Sequence, residues 1–172
     1  MTGPTRTNVS EEELYQTTLQ WINKRGVELK EIAELTLFLQ KDYLPGLTID
    51  ECLENVKQVL KKREVQNAVL TGIQLDVLAE QRQLEEPLLD MIIRDEGLYG
   101  IDEILSMAIL NVYGSIGLTN YGYIDRIKPG VLKRLNDKHD GQIHTFLDDI
   151  VGAIAASASS RLAHNRKHPQ PD

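Results

Sequence analysis

GQIHTFLDDIVGAIAASASSRLAH, residues 141–164, sets two adjacent carboxylates, Asp148 and Asp149, into an apolar run made mostly of small residues. Leu147, Ile150, Val151 and Ile154 recur at helical spacing. Gly152, Ala153, Ala155, Ala156 and Ala158 leave little bulk on any face, so neighbours can close in from every side. A surface helix confines its apolar residues to one stripe. This one does not, and is predicted to be the central strut of the molecule. Asp148 and Asp149 then lie near the core, where a carboxylate needs a cation, a basic partner or a proton. The plainer alternative is a first-turn position, if His144 and Thr145 open the helix, where the dipole favours acids anyway.

Working outward, 172 residues suit one domain with a real core. Apolar residues make up 41% and aromatics only 5%, with many Leu, Ile and Ala, which suits packed helices better than a β-sandwich. The expected fold is all-α: a single helical domain over 10–164, its central small-residue helix ringed by about five others. Flexible tails are expected at 1–9 and 165–172. With 26 acidic against 19 basic residues, the net charge of −7 opposes nucleic-acid binding, which needs a basic face. The single cysteine, Cys52, excludes an intramolecular disulfide, fits a reducing compartment and reads as a packed thiol. MTGPTRTNVS has no apolar signal core, and no stretch approaches the ~20 apolar residues of a membrane span. The expected location is cytoplasmic.

In chain order, Ser10 before Glu11, Glu12 and Glu13 signals a helix start, with Leu14, Thr18, Trp21 and Ile22 inward until Gly26. A second amphipathic helix carries Leu29, Ile32, Ala33, Leu35 and Leu39 and gives way before Pro45 and Gly46. Both read as cover, and their leucine-rich faces leave room for a homodimer or tetramer. Thr48 and Glu51 form a capping box for a third helix, and residues 64–81 form a fourth, interrupted by Gly72. Its polar face, Glu64, Asn67, Thr71 and Gln74, reads first as solvated, with Glu64 and Asn67 as second-rank site candidates. Pro87 suits the first turn of a short helix reaching Ile93.

RDEGLYGIDEILSMAILNVYG, residues 94–114, repeats the opening arrangement: Asp102 and Glu103, then an apolar face of Ile104, Leu105, Met107, Ala108 and Leu110. Residues 114–144 are rich in glycine and turns yet contain Tyr113, Tyr121 and Tyr123 close by, and read as an ordered loop surrounding an active site. Lys128, Lys133, Arg134, Lys138 and His139 collect there, a reversal of sign that suits a phosphate group. Two helices that each carry carboxylates can hold Mg²⁺, which takes few protein oxygens, keeps waters and accepts substrate phosphate. Asp148 and Asp149, being adjacent, point roughly 100° apart.

Three segments resemble the phosphatidylglycerophosphatase A family in the same order: D-E-x-x-G-M, here Asp102 to Met107 with Ser106 at the glycine; D-x-x-K-P, here Asp125 to Pro129; and L/I-D-D-I, here Leu147 to Ile150. The chain looks closest to that family's soluble, YutG-like branch. The family's histidine and paired glycines before the last motif read here as Asp140-Gly141-Gln142, with His139 out of register, and a family aspartate reads as Asn136. The resemblance implies Mg²⁺-dependent hydrolysis of a phosphomonoester, with Mn²⁺ a substitute, converting phosphatidylglycerophosphate to phosphatidylglycerol and phosphate in phospholipid biosynthesis. For such a reaction, chemistry assigns Asp102, Glu103, Asp148 and Asp149 as the expected metal ligands, Asp125 and Asp149 as the catalytic carboxylates, and Lys128 as the partner of the substrate phosphate. His139 and His144 are the alternatives for proton transfer. A glycerophospholipid head group is the expected substrate, with at most peripheral contact at the inner membrane face.

Two other readings fit helix-borne carboxylates. One is hydrolysis of a soluble phosphate ester or nucleotide, for which Glu31 and Glu34 have a suitable E-x-x-E spacing but no E-x-x-D partner downstream. The other is a non-enzymatic helical interaction module that keeps the fold.

Overall fold

The computed structural model describes residues 9–137 and 141–167. Its helices begin where short-range chemistry starts them. Ser10 Oγ accepts from the Glu13 amide at 3.2 Å while the Glu13 carboxylate accepts from the Ser10 amide at 2.9 Å, opening α1 (Glu11–Lys24). At α2 (Leu29–Gln40) the Glu31 carboxylate accepts from the Glu28 amide at 2.9 Å and the Glu31 amide donates to the Glu28 carbonyl at 3.0 Å, and Thr48 with Glu51 opens α3 (Ile49–Leu60) by the same reciprocal side-chain capping as α1. Gly26, at φ +80°, follows the end of α1 in the left-handed region that glycine tolerates. Then come α4 (Arg63–Glu80), α5 (Leu88–Arg94), α6 (Ile101–Leu110), α7 (Gly114–Ile127), α8 (Val131–Asn136) and α9 (Leu147–Lys167). Every regular element among the described residues is an α-helix, as the composition led us to expect.

The small-residue helix is the axis. Every residue from Thr145 to Ser160 is buried, and α2, α3, α4, α6, α7 and α8 all pack against α9. α1 and α5 rest on α4, one layer out. The close approach needs small side chains on both partners. A Cβ on Gly72 of α4 would stand 2.3 Å from Ile150 Cδ1 and 3.1 Å from Phe146 Cβ, so α4 reaches α9 through that glycine. Gly152 does the same toward α7, where Tyr121 and Ile124 carbons lie 3.7 Å from the position of its missing Cβ. Each fully buried Ile or Leu along this axis contributes about 1.5–3 kcal/mol.

Three expectations change. α2 is not cover: it lies directly on α9, where Thr36 Oγ1 donates to the Ala155 carbonyl at 3.4 Å. Residues 114–136 are not a loop but two helices, α7 and α8. The glycines of α7 have low helix propensity, and packing against the small-residue face of α9 overrides it. The face of α6 is also rotated from the apolar stripe read in the sequence. Asp102, Ser106, Ile109 and Leu110 are buried, while Ile104 (61% exposed), Met107 and Ala108 face outward with Ile101 and Leu98.

Among the other expectations, Cys52 is fully buried and burial pushes its thiol up to about 11, so it is a packed residue. Glu31 is committed to Arg134, whose guanidinium donates to both its oxygens at 2.6 and 3.0 Å, which takes it out of any carboxylate site. Glu64 and Asn67 lie on the exposed side of α4. The tails lie largely outside the described residues, although α9 continues to Lys167 and Arg166 pairs with Glu51 at 3.1 Å. Among the described residues no helix is long and apolar enough to cross a membrane.

Candidate active site

The N-terminus of α9 is buried, so its free amides need acceptors from elsewhere. They find one on α4. The carboxylate of Asp76, with no exposed surface, accepts from the Phe146 amide and from the Leu147 amide, each at 3.0 Å. Burial still pushes Asp76 well above the usual carboxylate range, against the opposing pull of those two amides and of Arg25. Thr145 Oγ1 donates to the Ile92 carbonyl at 2.6 Å, tying the same turn to α5. Sequence reading missed Asp76. The available signal was an acid on the otherwise apolar inner side of α4, between Ile73 and Val77.

One turn along α4, Glu80 extends this tether. It pairs with Arg25, accepts from the Ile143 amide at 2.7 Å, and Arg25 in turn donates to the Ile143 carbonyl at 2.8 Å. His144 Nδ1 lies 3.4 Å from Arg25 Nη2. Burial first, then the Arg25 charge, lowers His144 to about 4, so it is neutral at physiological pH. It is built into this clamp and also lines a small pocket together with Asp148.

With α9 held in this way, Asp148 and Asp149 fall in its first turn, and both are buried, at 7% and 6% exposure. Both readings of the pair therefore apply: first turn and core. Lys128, the C-cap of α7 at φ +43°, sends its Nζ between two acids, 2.9 Å from Asp125 Oδ1 and 3.2 Å from Asp148 Oδ2. Asp148 Oδ1 accepts from the Asp149 amide at 2.8 Å. Burial raises the Asp148 carboxyl, and Lys128 opposes that rise. Asp149 is raised much further, by burial and then by the carboxylates of Asp148, Asp102 and Asp125. Tyr121 is raised too, by burial and by Asp149 and Asp125.

The structure thus brings Asp102, Asp125, Lys128, Asp148 and Asp149 together from α6, α7 and α9. Glu103 is exposed on the next face of α6 and does not join the buried set. Of the basic residues read beside the acids, Lys128 reaches them, Arg134 serves Glu31 and the Gly26 carbonyl, Lys133 is exposed, and Lys138 and His139 lie outside the described residues. Among the described residues no three His, Cys, Asp or Glu side chains stand close enough to enclose a cation by themselves. Mg²⁺ does not require three: one or two carboxylates with waters and a phosphate suffice. The pair Asp102 and Asp149, buried, in hydrogen-bond contact and mutually repulsive when both are ionised, has no ion pair of its own among the described residues and is chemically suited to it, and Asp148 lies beside them. A divalent cation would relieve the repulsion that raises Asp149.

The family model described as Phosphatidylglycerophosphatase A matches residues 18–164. The chain is 67% identical, over 149 residues, to the uncharacterized protein YutG of Bacillus subtilis (strain 168), covering 87% of this chain and 90% of that one. A solved structure of a protein of unknown function from Bacillus stearothermophilus superposes with a TM-score of 0.87 at 65% identity, covering 88% of this chain and 94% of that one. The low temperature requirement C protein of Listeria monocytogenes superposes with a TM-score of 0.88 at 62% identity, covering 92% and 99%.

Proposed function

The chain belongs to the phosphatidylglycerophosphatase A family, and from that membership we propose that it hydrolyses a phosphate monoester with the help of Mg²⁺, its substrate being phosphatidylglycerophosphate. The observation that carries this reading is Lys128, held at 2.9 and 3.2 Å between Asp125 and Asp148 beside the buried pair Asp102 and Asp149. A lysine so placed neutralises charge on a phosphoryl oxygen, while the acids supply oxygen ligands and a base.

Asp102 and Asp149 would hold the cation, with Asp148 beside them, and Mn²⁺ would serve in place of Mg²⁺. When bound, the ion supplies Lewis-acid polarisation of a phosphoryl oxygen and lowers the pKa of a bound water. Asp125, half-exposed at the mouth, takes the proton of the attacking water. Lys128 shifts its Nζ toward the phosphate as charge grows there. The water oxygen bonds to phosphorus as the bond from phosphorus to the glycerol oxygen breaks, and that oxygen leaves with the electron pair and takes up the proton that Asp125 removed from the water. The buried setting strengthens each of these contacts.

The test is phosphate release from phosphatidylglycerophosphate in mixed micelles, with and without Mg²⁺, comparing the unmodified chain with Asp149→Asn. Metal-dependent release that the substitution abolishes supports the reading. Release that persists in Asp149→Asn, or no release at all, refutes it.

A further inference from the structure

Two hydroxyls lie next to each other at the acid cluster, the Ser106 hydroxyl near enough to act on the Tyr121 phenol, yet neither completes a hydrogen bond among the described residues. Ser106 is fully buried, and its Oγ has no hydrogen-bond partner among the described residues. Tyr121 Oη is likewise shut from water and unpartnered among them. Their places follow from helical spacing. Ser106 stands four residues after Asp102 on the buried face of α6, and Tyr121 four before Asp125 on α7, so each sits one turn from an acid of the site. The fields of Asp149, Asp125 and Glu103 all act on the Tyr121 phenol, which sets it among those side chains. Its ring is fixed against α9, with Cε2 3.7 Å from where Gly152 would carry a Cβ.

A buried hydroxyl without a partner is costly, and these two stand side by side, each one turn from an acid of the site. Ser157 Oγ and Tyr113 Oη are also buried without a partner among the described residues, while Thr36, Thr145, Ser159 and Ser160 all donate to backbone carbonyls. Ser106 and Tyr121 do not. Both are donors, as an oxyanion requires, and both stand on the helices that hold the carboxylates and the lysine. We propose that the Ser106 and Tyr121 hydroxyls together seat a non-bridging oxygen of the substrate phosphate. They are substrate-binding groups and leave the cation to the aspartates. At the position of Ser106 the family segment quoted above has glycine, so this seat separates the chain from relatives that bring no hydroxyl there.

This inference rests on the proposed phosphatase reading, and binding measurements separate the two. Mn²⁺ affinity is measured by electron paramagnetic resonance, and the affinity of inorganic phosphate for the Mn²⁺-loaded protein by calorimetry, for the unmodified chain, Tyr121→Phe and Ser106→Ala. Circular dichroism confirms that each variant is folded. The expected result is Mn²⁺ affinity within about twofold of the unmodified chain and phosphate affinity lower by about tenfold in Tyr121→Phe, with a smaller loss in Ser106→Ala. Unchanged phosphate affinity in both variants overturns the inference, since the hydroxyls then do no more than hold local structure. A parallel fall in Mn²⁺ affinity overturns it as well, because the hydroxyls then act through the carboxylates. If the unmodified chain binds both probes and the variants lose phosphate, yet no lipid substrate is hydrolysed, the phosphate seat stands and the lipid phosphatase reading fails. An unmodified chain that binds neither probe refutes both.

Discussion

At the scale of single residues, Asp149 and Asp76 show how one residue type in one fold does opposite things. Asp149 is crowded by Asp148, Asp102 and Asp125, so in the metal-free protein it opposes folding once ionised. Asp149→Asn is therefore expected to stabilise the metal-free chain by about 1–3 kcal/mol in urea unfolding, although the same change removes the proposed activity. Asp76 instead satisfies two buried amides. Asp76→Ala leaves both unpaired and is expected to destabilise by about 2–4 kcal/mol in the same measurement, with Asp76→Asn intermediate because one amide acceptor remains. His144 gives the pH dependence. Its folded value of about 4 lies below the ordinary 6.5, through burial and the charges of Arg25 and Arg134 against the pull of Glu80. The unfolded chain then takes up the proton first as pH falls. The contribution is complete above about 6.5 and is lost progressively toward 4. A melting-temperature profile over that range should flatten in His144→Asn. The acid pairs were legible in the sequence because adjacent carboxylates in an apolar run are conspicuous. Asp76 was not, because its partners lie about seventy residues away in the chain and only folding brings them together.

At the scale of elements, the axis depends on close approach rather than on bulk. Gly72 admits Ile150 and Phe146 to the surface of α4. Gly72→Val places a branched side chain where Ile150 Cδ1 already stands, and a loss of about 1–3 kcal/mol is expected in thermal or urea unfolding, since Ile150 is fully buried and cannot swing into solvent. α9 itself was legible as a helix and as central, because small residues on every face have no surface explanation. α7 was not legible. Its glycines read as turns, and what stabilises it is α9, whose Gly152 lets Tyr121 and Ile124 pack closely. α6 shows the opposite failure. Its apolar residues promised a core stripe, yet α4 and α9 pack on the face that carries Asp102 and Ser106. Periodicity finds a face, but which side of it meets the protein depends on the neighbours.

At the scale of the whole molecule, a cation that binds only the folded chain stabilises it by mass action. Mg²⁺ at a hundred times its dissociation constant is expected to add about 2.7 kcal/mol, read as a rise in melting temperature that Asp149→Asn abolishes and Na⁺ at equal ionic strength does not reproduce. The sequence by itself determined the all-helical class, the caps of α1 and α3, the central position of α9 and the motifs that carry Asp102, Asp125, Lys128, Asp148 and Asp149. All of these depend on residue type and short-range spacing, which a linear chain displays directly. Only the tertiary structure decided that Lys128 bridges Asp125 and Asp148, that Glu103 stays exposed, that Arg134 is spent on Glu31, and that Asp76 and Glu80 hold the start of α9. Those outcomes depend on the direction in which each helix presents its side chains to partners far along the chain, and packing against α9 sets that direction.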